Sequence, residues 1–221
     1  MSLEYHLHCM RTPVVGDGAT MEQHTERAAA RAAACRELLA RIRDLELAHA
    51  GGRFPREAVV DAMLAFVERN RSLFPDEDFA SPRAHSRFHP LVEGGDTPYG
   101  LYYGVTRPGK EAAPHDHGLW GATVAFSGCE VNTFWTRTDD GSSETRATVV
   151  KTHEIPVEPG RGMFLGASEL HAALTVGETE SRLLHLYERP FAQFPPVVFY
   201  HPELGTRRRL PASAGRTIRG G

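Results

Sequence analysis

Along the first third of the chain, apolar positions return at helical spacing. Thr20-Met21-Glu22-Gln23 has the form of a capping box, in which a hydroxyl and a Gln side chain satisfy each other's orphan amides. An Ala-rich run follows, so a helix is predicted over 21–49. Leu38, Ile42 and Leu45 stand at intervals of four and three, which places them on one face, with Cys35 extending the stripe one turn back. Gly51-Gly52 breaks this pattern. Pro55 then suits the first turn of a second helix, with Val59, Met63 and Val67 as its apolar face and Ser81-Pro82 beyond its end.

From residue 86 the texture changes to short alternating or apolar runs separated by Gly, Pro, Asp or Ser. Strands are predicted at 101–105, 120–126, 131–135, 148–152, 163–165 and 182–187. So many strands without intervening helices predict a mainly β antiparallel sandwich or barrel. The organisation read from this pattern is one domain over 1–221. A helical region covers 20–80, a barrel covers 86–200, and a tail over 201–221 carries the basic cluster Arg207-Arg208-Arg209.

Composition narrows the function classes. The 221 residues are 41% hydrophobic and 24% charged, enough for one ordinary core. A net charge of -3 offers no cationic field for nucleic acid, and the arginine cluster has no interleaved aromatics. Cys9, Cys35 and Cys129 are too few and too scattered for a disulfide framework, which makes a reducing, cytoplasmic setting the expectation. No apolar stretch reaches membrane-spanning length, so no membrane partner is expected.

Candidate chemistry concentrates in Pro114-His115-Asp116-His117-Gly118-Leu119-Trp120-Gly121, followed by His171 and then by His185-Leu186-Tyr187. If the first run is a strand, His115 and His117 share a face and can converge on one ion. His185 and Tyr187 share a face by the same argument. A phenol can donate to a bound substrate while an imidazole holds it in place. The other histidines, among them His6, His8, His24, His49, His153 and His201, have no companion spacing that ties them to this group.

Residues 109–130 resemble the first metal motif of the cupin superfamily, and His171 matches the late histidine of its second motif. The usual Glu of that pattern falls at Gly121 or Ala122. A site with three imidazoles and no carboxylate is similar to that of the thiol dioxygenases of cysteine dioxygenase type. The Pro-His-Asp-His and Trp-Gly elements are particularly similar to the bacterial 3-mercaptopropionate-like branch. His185-Leu186-Tyr187 followed by Pro190-Phe191 looks like the family's late His-x-Tyr segment, so the resemblance covers roughly 35–200.

The resemblance implies a cupin-like double-stranded β-helix, or jelly roll, with an N-terminal helical cap. It implies an Fe(II) centre on His115, His117 and His171, with Tyr187 and His185 as catalytic residues. The implied reaction takes a small thiol and dioxygen to a sulfinate, the thiol being 3-mercaptopropionate, cysteine or a relative. Leu183 stands where the family often has the Ser of a Ser-His-Tyr relay. Cys129 is displaced from the place of the cysteine that some relatives crosslink to tyrosine.

Substrate recognition has several candidates. The family's carboxylate-clamping Arg aligns with His89, and Arg87 lies two residues away on the same face of a strand. Tyr102 and Arg182 are the other polar candidates, and Trp120 is expected either as a wall above the metal or as core packing. Two other functions fit the same residues. One is a cupin isomerase or lyase using the metal as a Lewis acid, and the other is a noncatalytic metal- or small-ligand-binding module. The pattern carries no information on oligomeric state.

Overall fold

The computed structural model describes residues 20–109 and 111–211; Cys9, His6 and His8 lie outside them. The capping box forms. Gln23 N donates to Thr20 Oγ1 at 3.3 Å and Thr20 N donates to Gln23 Oε1 at 2.7 Å, opening helix α1 (Met21–Ala48). Cys35, Leu38, Leu39 and Ile42 are its buried residues. Burial pushes the Cys35 thiol up to about 12, as expected of a small core residue rather than a nucleophile. Helix α2 (Arg56–Asn70) starts at Pro55 and buries Val59, Ala62, Met63, Phe66 and Val67.

Among the described residues eleven strands follow: β1 (Ser86–Glu93), β2 (Gly100–Thr106), β3 (His115–Asp116), β4 (Gly121–Ser127), β5 (Cys129–Arg137), β6 (Val149–Val157), β7 (Met163–Leu165), β8 (Leu170–Val176), β9 (Ser181–Tyr187), β10 (Val197–His201) and β11 (Thr206–Leu210). They form a five-stranded sheet in the order β1-β2-β9-β4-β7 and a six-stranded sheet in the order β11-β10-β3-β8-β5-β6. The fold is a mainly β, two-sheet, cupin-like jelly roll with N-terminal helices, as the strand and helix patterns predict.

Alternation in β9 shows how the layers are built. Leu184 and Leu186 point to the helices and join a core with Ile42, Met63, Phe66 and Val105. Ser181, Leu183, His185 and Tyr187 face the other sheet, where Leu183 packs with Ala125, Phe134, Val157, Met163 and Leu165. Each fully buried aliphatic side chain here contributes on the order of 1.5–3 kcal/mol, on the helical face as in the barrel interior.

Strand β10 was not among the strands predicted, and two further parts of the architecture differ from the sequence reading. Strand β8 was not expected, because Leu170-His171-Ala172-Ala173-Leu174-Thr175-Val176 lacks clear alternation. It is a central strand, buried on both faces over much of its length. The tail expected over 201–221 is in part a strand: Thr206–Leu210 pairs with β10 as the edge of the six-stranded sheet, and Arg207 Nε donates to the Glu144 carbonyl at 3.0 Å. Arginines suit that position because an edge strand keeps one side in water. Residues 212–221 of the expected tail lie outside the described residues.

Candidate metal centre

His115, His117 and His171 converge in the barrel, all three buried, with their candidate ligand nitrogens within 4.8 Å of one another. Strand pairing does most of this work. His115 of β3 lies directly opposite His171 of β8, and β10 closes the other side of β3 with Phe199 opposite His115. The Phe199 ring stacks on that imidazole at 5.2 Å between centroids. His117 follows two residues after His115, and its Nε2 comes within 3.0 Å of His171 Nε2.

Hydrogen bonds at the far side of two rings determine which nitrogen faces inward. His115 Nδ1 lies 2.9 Å from the Ala113 carbonyl, which can only accept, so Nδ1 carries the proton and Nε2 keeps its lone pair. His171 Nδ1 lies 2.9 Å from Asn132 Oδ1, which leaves Nε2 in the same condition. The 3.0 Å between His117 Nε2 and His171 Nε2 matches the spacing of two ligands on one ion at metal–nitrogen distances of about 2.0–2.1 Å. Three converging imidazoles fit a divalent transition metal, iron(II) included.

Ala122 and Gly121, where the usual cupin carboxylate would fall, offer no ligand. Gly121 sits opposite Tyr187, and a Cβ there would lie 2.9 Å from Tyr187 Cδ1. The tyrosine ring thus occupies the space into which a longer residue at 121 would grow. Gly104 makes similar room for His185, whose Nε2 would lie 2.7 Å from a Cβ at that position.

His185 and Tyr187 stand on the barrel side of β9 with parallel rings 6.1 Å apart. Tyr187 is also 5.6 Å from the His117 ring. Both line a cavity of about 90 Å3 together with His115, His171, Thr123 and Glu130. In place of a hydroxyl at Leu183, which is buried in the core, Thr123 Oγ1 approaches His185 Nδ1 at 3.2 Å from the neighbouring strand. Cys129 lies at the opposite end of the barrel from Tyr187, since Ser127 of β4 pairs with Arg182 while Gly121 pairs with Tyr187.

The expected substrate-binding residues separate into two groups. Tyr102 pairs with His185 and shares its face, with its ring 6.2 Å from Tyr187. Its hydroxyl donates to the Glu93 carboxylate and accepts from Phe191 N at 2.7 Å. Burial and that carboxylate push its phenol well above the ordinary range, so it stays protonated.

Arg87, His89, Arg182 and Trp120 are elsewhere. Arg87 and Arg182 both pair with Val105, and His89 pairs with Tyr103, two residues of the helix-facing core. Arg182 Nε bonds Asp76 at 3.1 Å, and His89 Nε2 meets the Ala80 carbonyl at 3.0 Å. Burial holds the His89 ring below its ordinary value and favours the neutral form. Trp120 packs against Phe54, Phe164 and Tyr99 under the helices, so core packing is its place in the fold.

Three residues near the histidines were not anticipated: Thr123, Glu130 and Asn132. Asn132 is fully buried, and its Nδ2 donates to Glu130 Oε1 at 3.1 Å. Glu130-x-Asn132 before an aromatic strand was a readable signal, because polar residues at alternate positions in such a strand face the same interior.

No family model matches the chain, and no curated protein matches it. Among solved structures it is similar to an oxalate oxidase in complex with the substrate analogue glycolate, at 17% identity and a TM-score of 0.40, over 54% of this chain and 57% of that one. The chain therefore spans little more than half of that protein's length. A cupin domain of an XRE family transcriptional regulator from Enterobacter cloacae is similar at 18% identity and a TM-score of 0.34, over 48% of this chain and 99% of that one. A cupin superfamily protein from Desulfitobacterium hafniense gives 16% identity and a TM-score of 0.35, over 52% and 84%.

Proposed function

We propose that this chain is an iron(II)-dependent thiol dioxygenase that converts R-SH and O2 to R-SO2H, both oxygen atoms entering the sulfinate. The observation that carries this reading is a trio of buried, converging histidines with no carboxylate among them, two of which, His115 and His171, line one internal cavity with Tyr187. His115, His117 and His171 would hold the ion, which when bound supplies a Lewis-acidic centre that lowers the pKa of a thiol and brings it together with dioxygen.

The protein's own groups have separable roles. Tyr187 and His185 face the cavity, where a phenol donor can hold the substrate or a developing negative charge. Thr123 holds the His185 ring from β4, and Gly121 leaves space for the Tyr187 ring. Phe88, Met163 and Phe199 make the remaining wall largely apolar, which excludes water from the reacting groups.

A cavity of about 90 Å3 suits a small thiol such as 3-mercaptopropionate, cysteine or a close relative. Among the described residues no arginine or lysine lines it, so a carboxylate clamp from Arg87 or Arg182 is not part of this proposal. His85, Ser86, Thr106 and Thr175 are further polar groups at the wall that can contact a substrate headgroup.

The test is oxygen uptake by iron-loaded protein with cysteine, 3-mercaptopropionate, cysteamine and larger thiols, followed by mass analysis for the sulfinate. Thiol-dependent uptake with a gain of two oxygen atoms is expected. Stoichiometric metal without uptake on any thiol would move the assignment to a non-oxidising metalloenzyme or a binding module.

A further inference from the structure

We infer that Glu130 and Asn132 are positioning residues that set the tautomer and orientation of His171 and thereby tune the metal centre. The inference rests on the metal-binding reading above but not on thiol oxidation.

The argument is one of hydrogen-bond direction. The Asn132 amide nitrogen donates to Glu130 Oε1 at 3.1 Å. That assignment turns Asn132 Oδ1 toward His171, 2.9 Å from Nδ1. A carbonyl oxygen only accepts, so His171 must carry its proton on Nδ1, and Nε2 is left with its lone pair beside His117 Nε2. Reversing any member of the chain sets two donors or two acceptors against each other. The carboxylate thus fixes the amide, the amide fixes the imidazole, and the imidazole presents a ligand nitrogen.

Location makes this chain consequential. Asn132 is 0% exposed and Glu130 7% exposed, so water competes little for either group. Both lie on the barrel face of β5, the strand that pairs with β8 along its whole length and carries Phe134 opposite His171. Outer hydrogen-bond partners of metal-binding imidazoles raise ligand basicity and hold ring orientation, and their loss typically weakens metal binding by about 10–100-fold. His115 Nδ1 meets the Ala113 backbone carbonyl, which substitution cannot tune, whereas the orientation of His171 is set through side chains.

Cobalt(II) titration of metal-free full-length protein tests this, with affinity read by chelator competition and geometry by the visible ligand-field bands. Asn132→Leu is expected to weaken cobalt(II) binding about 10–100-fold and to alter the bands. Glu130→Ala should weaken binding less, roughly several-fold, because Asn132 remains but its direction is released. Glu130→Gln, whose amide oxygen can still accept from Asn132, should recover most of the Glu130→Ala loss. Thermal unfolding of each metal-free variant separates misfolding from a site effect. If Asn132→Leu does not fold, the Glu130→Ala and Glu130→Gln pair decides alone. Wild-type affinity and spectrum in Asn132→Leu would overturn the inference. So would a Glu130→Gln variant as weak as Glu130→Ala, or a wild type that takes up no cobalt(II). Failure of every thiol to consume oxygen, with the cobalt(II) effects present, would sink the proposed activity and leave this inference standing.

Discussion

The two faces of the five-stranded sheet carry similar residue types to different ends. On the helical face, Arg182, His89 and Trp120 are tied to Asp76, the Ala80 carbonyl and a cluster of aromatic rings. On the barrel face, His185 and Tyr187 are held by Thr123 and by space left at Gly104 and Gly121. A His, an Arg or a Trp is therefore not evidence for a site until its parity in the strand is known. The helical face uses polar groups to join layers, and the barrel face aims them at a cavity.

The strongest attempt to break this contrast is removal of a ligand. His117→Ala or His171→Ala should lower metal affinity by more than about 100-fold, beyond the range for loss of an outer hydrogen-bond partner, as read by elemental analysis and chelator competition. Full loading in both variants would dissolve the barrel site. Next, Tyr187→Phe should keep its metal but lower thiol-dependent oxygen uptake by about 100-fold, the lower range for loss of a positioned proton donor. Unchanged uptake would return Tyr187 to a packing role.

Gly104→Val sharpens the steric side of the comparison. With a Cβ meeting His185 Nε2 at 2.7 Å, it should destabilise the fold in urea by about 1–3 kcal/mol through overpacking.

The helical layer has its own acid sensitivity. Asp78 accepts from Arg27 at 2.7 Å and from Arg31 at 2.7 Å. Hydrogen bonding from Arg27, helped by Arg31 and opposed by burial, holds its carboxyl at about 2, below the ordinary 3.8. A depressed folded value stabilises above the unfolded pKa, and that contribution is lost as pH falls from about 4 through 2. After allowance for solvent screening it amounts to about 1 kcal/mol, so Asp78→Asn should flatten the urea stability curve across this window. The smallest effect belongs to Arg87→Ala, which leaves the barrel untouched and should change stability by no more than about 0.5 kcal/mol, with thiol oxidation preserved. A large loss of oxidation there would show that the two faces communicate.

The sequence was most readable where one element suffices. The capping box at Thr20, the stripe through Leu38 and Ile42, and the period-two spacing of His115 with His117 each depend on neighbours along the chain, and each is found. Parity also contained a signal that was not used: Arg182 is three residues from His185, which places the two on opposite faces of one strand. Glu130-x-Asn132 could be read as sharing one face, but which histidine Thr123, Glu130 or Asn132 meets was hidden for a different reason. Their relation to the histidines depends on which strands pair and in what register, and Thr123 meets His185 from 62 positions away. Strand β8 was obscured because burial on both faces erases alternation.

The ligand strand β3 is only two residues long and is flanked by β8 and β10, so its place in the sheet is made by partners that come much later in the chain. During synthesis His115 and His117 emerge well before His171, and Val198 and Phe199, which pair with Asp116 and His115, emerge last of all. Tyr200 N then donates to the Pro114 carbonyl at 2.8 Å and fastens the approach to β3. A nascent chain that ends between residues 188 and 196 holds every strand of the five-stranded sheet and the helical cap yet lacks one wall of the ligand strand. One wall of the ligand strand is thereby completed only when Val198 and Phe199 pair with β3, after all three histidines have been made.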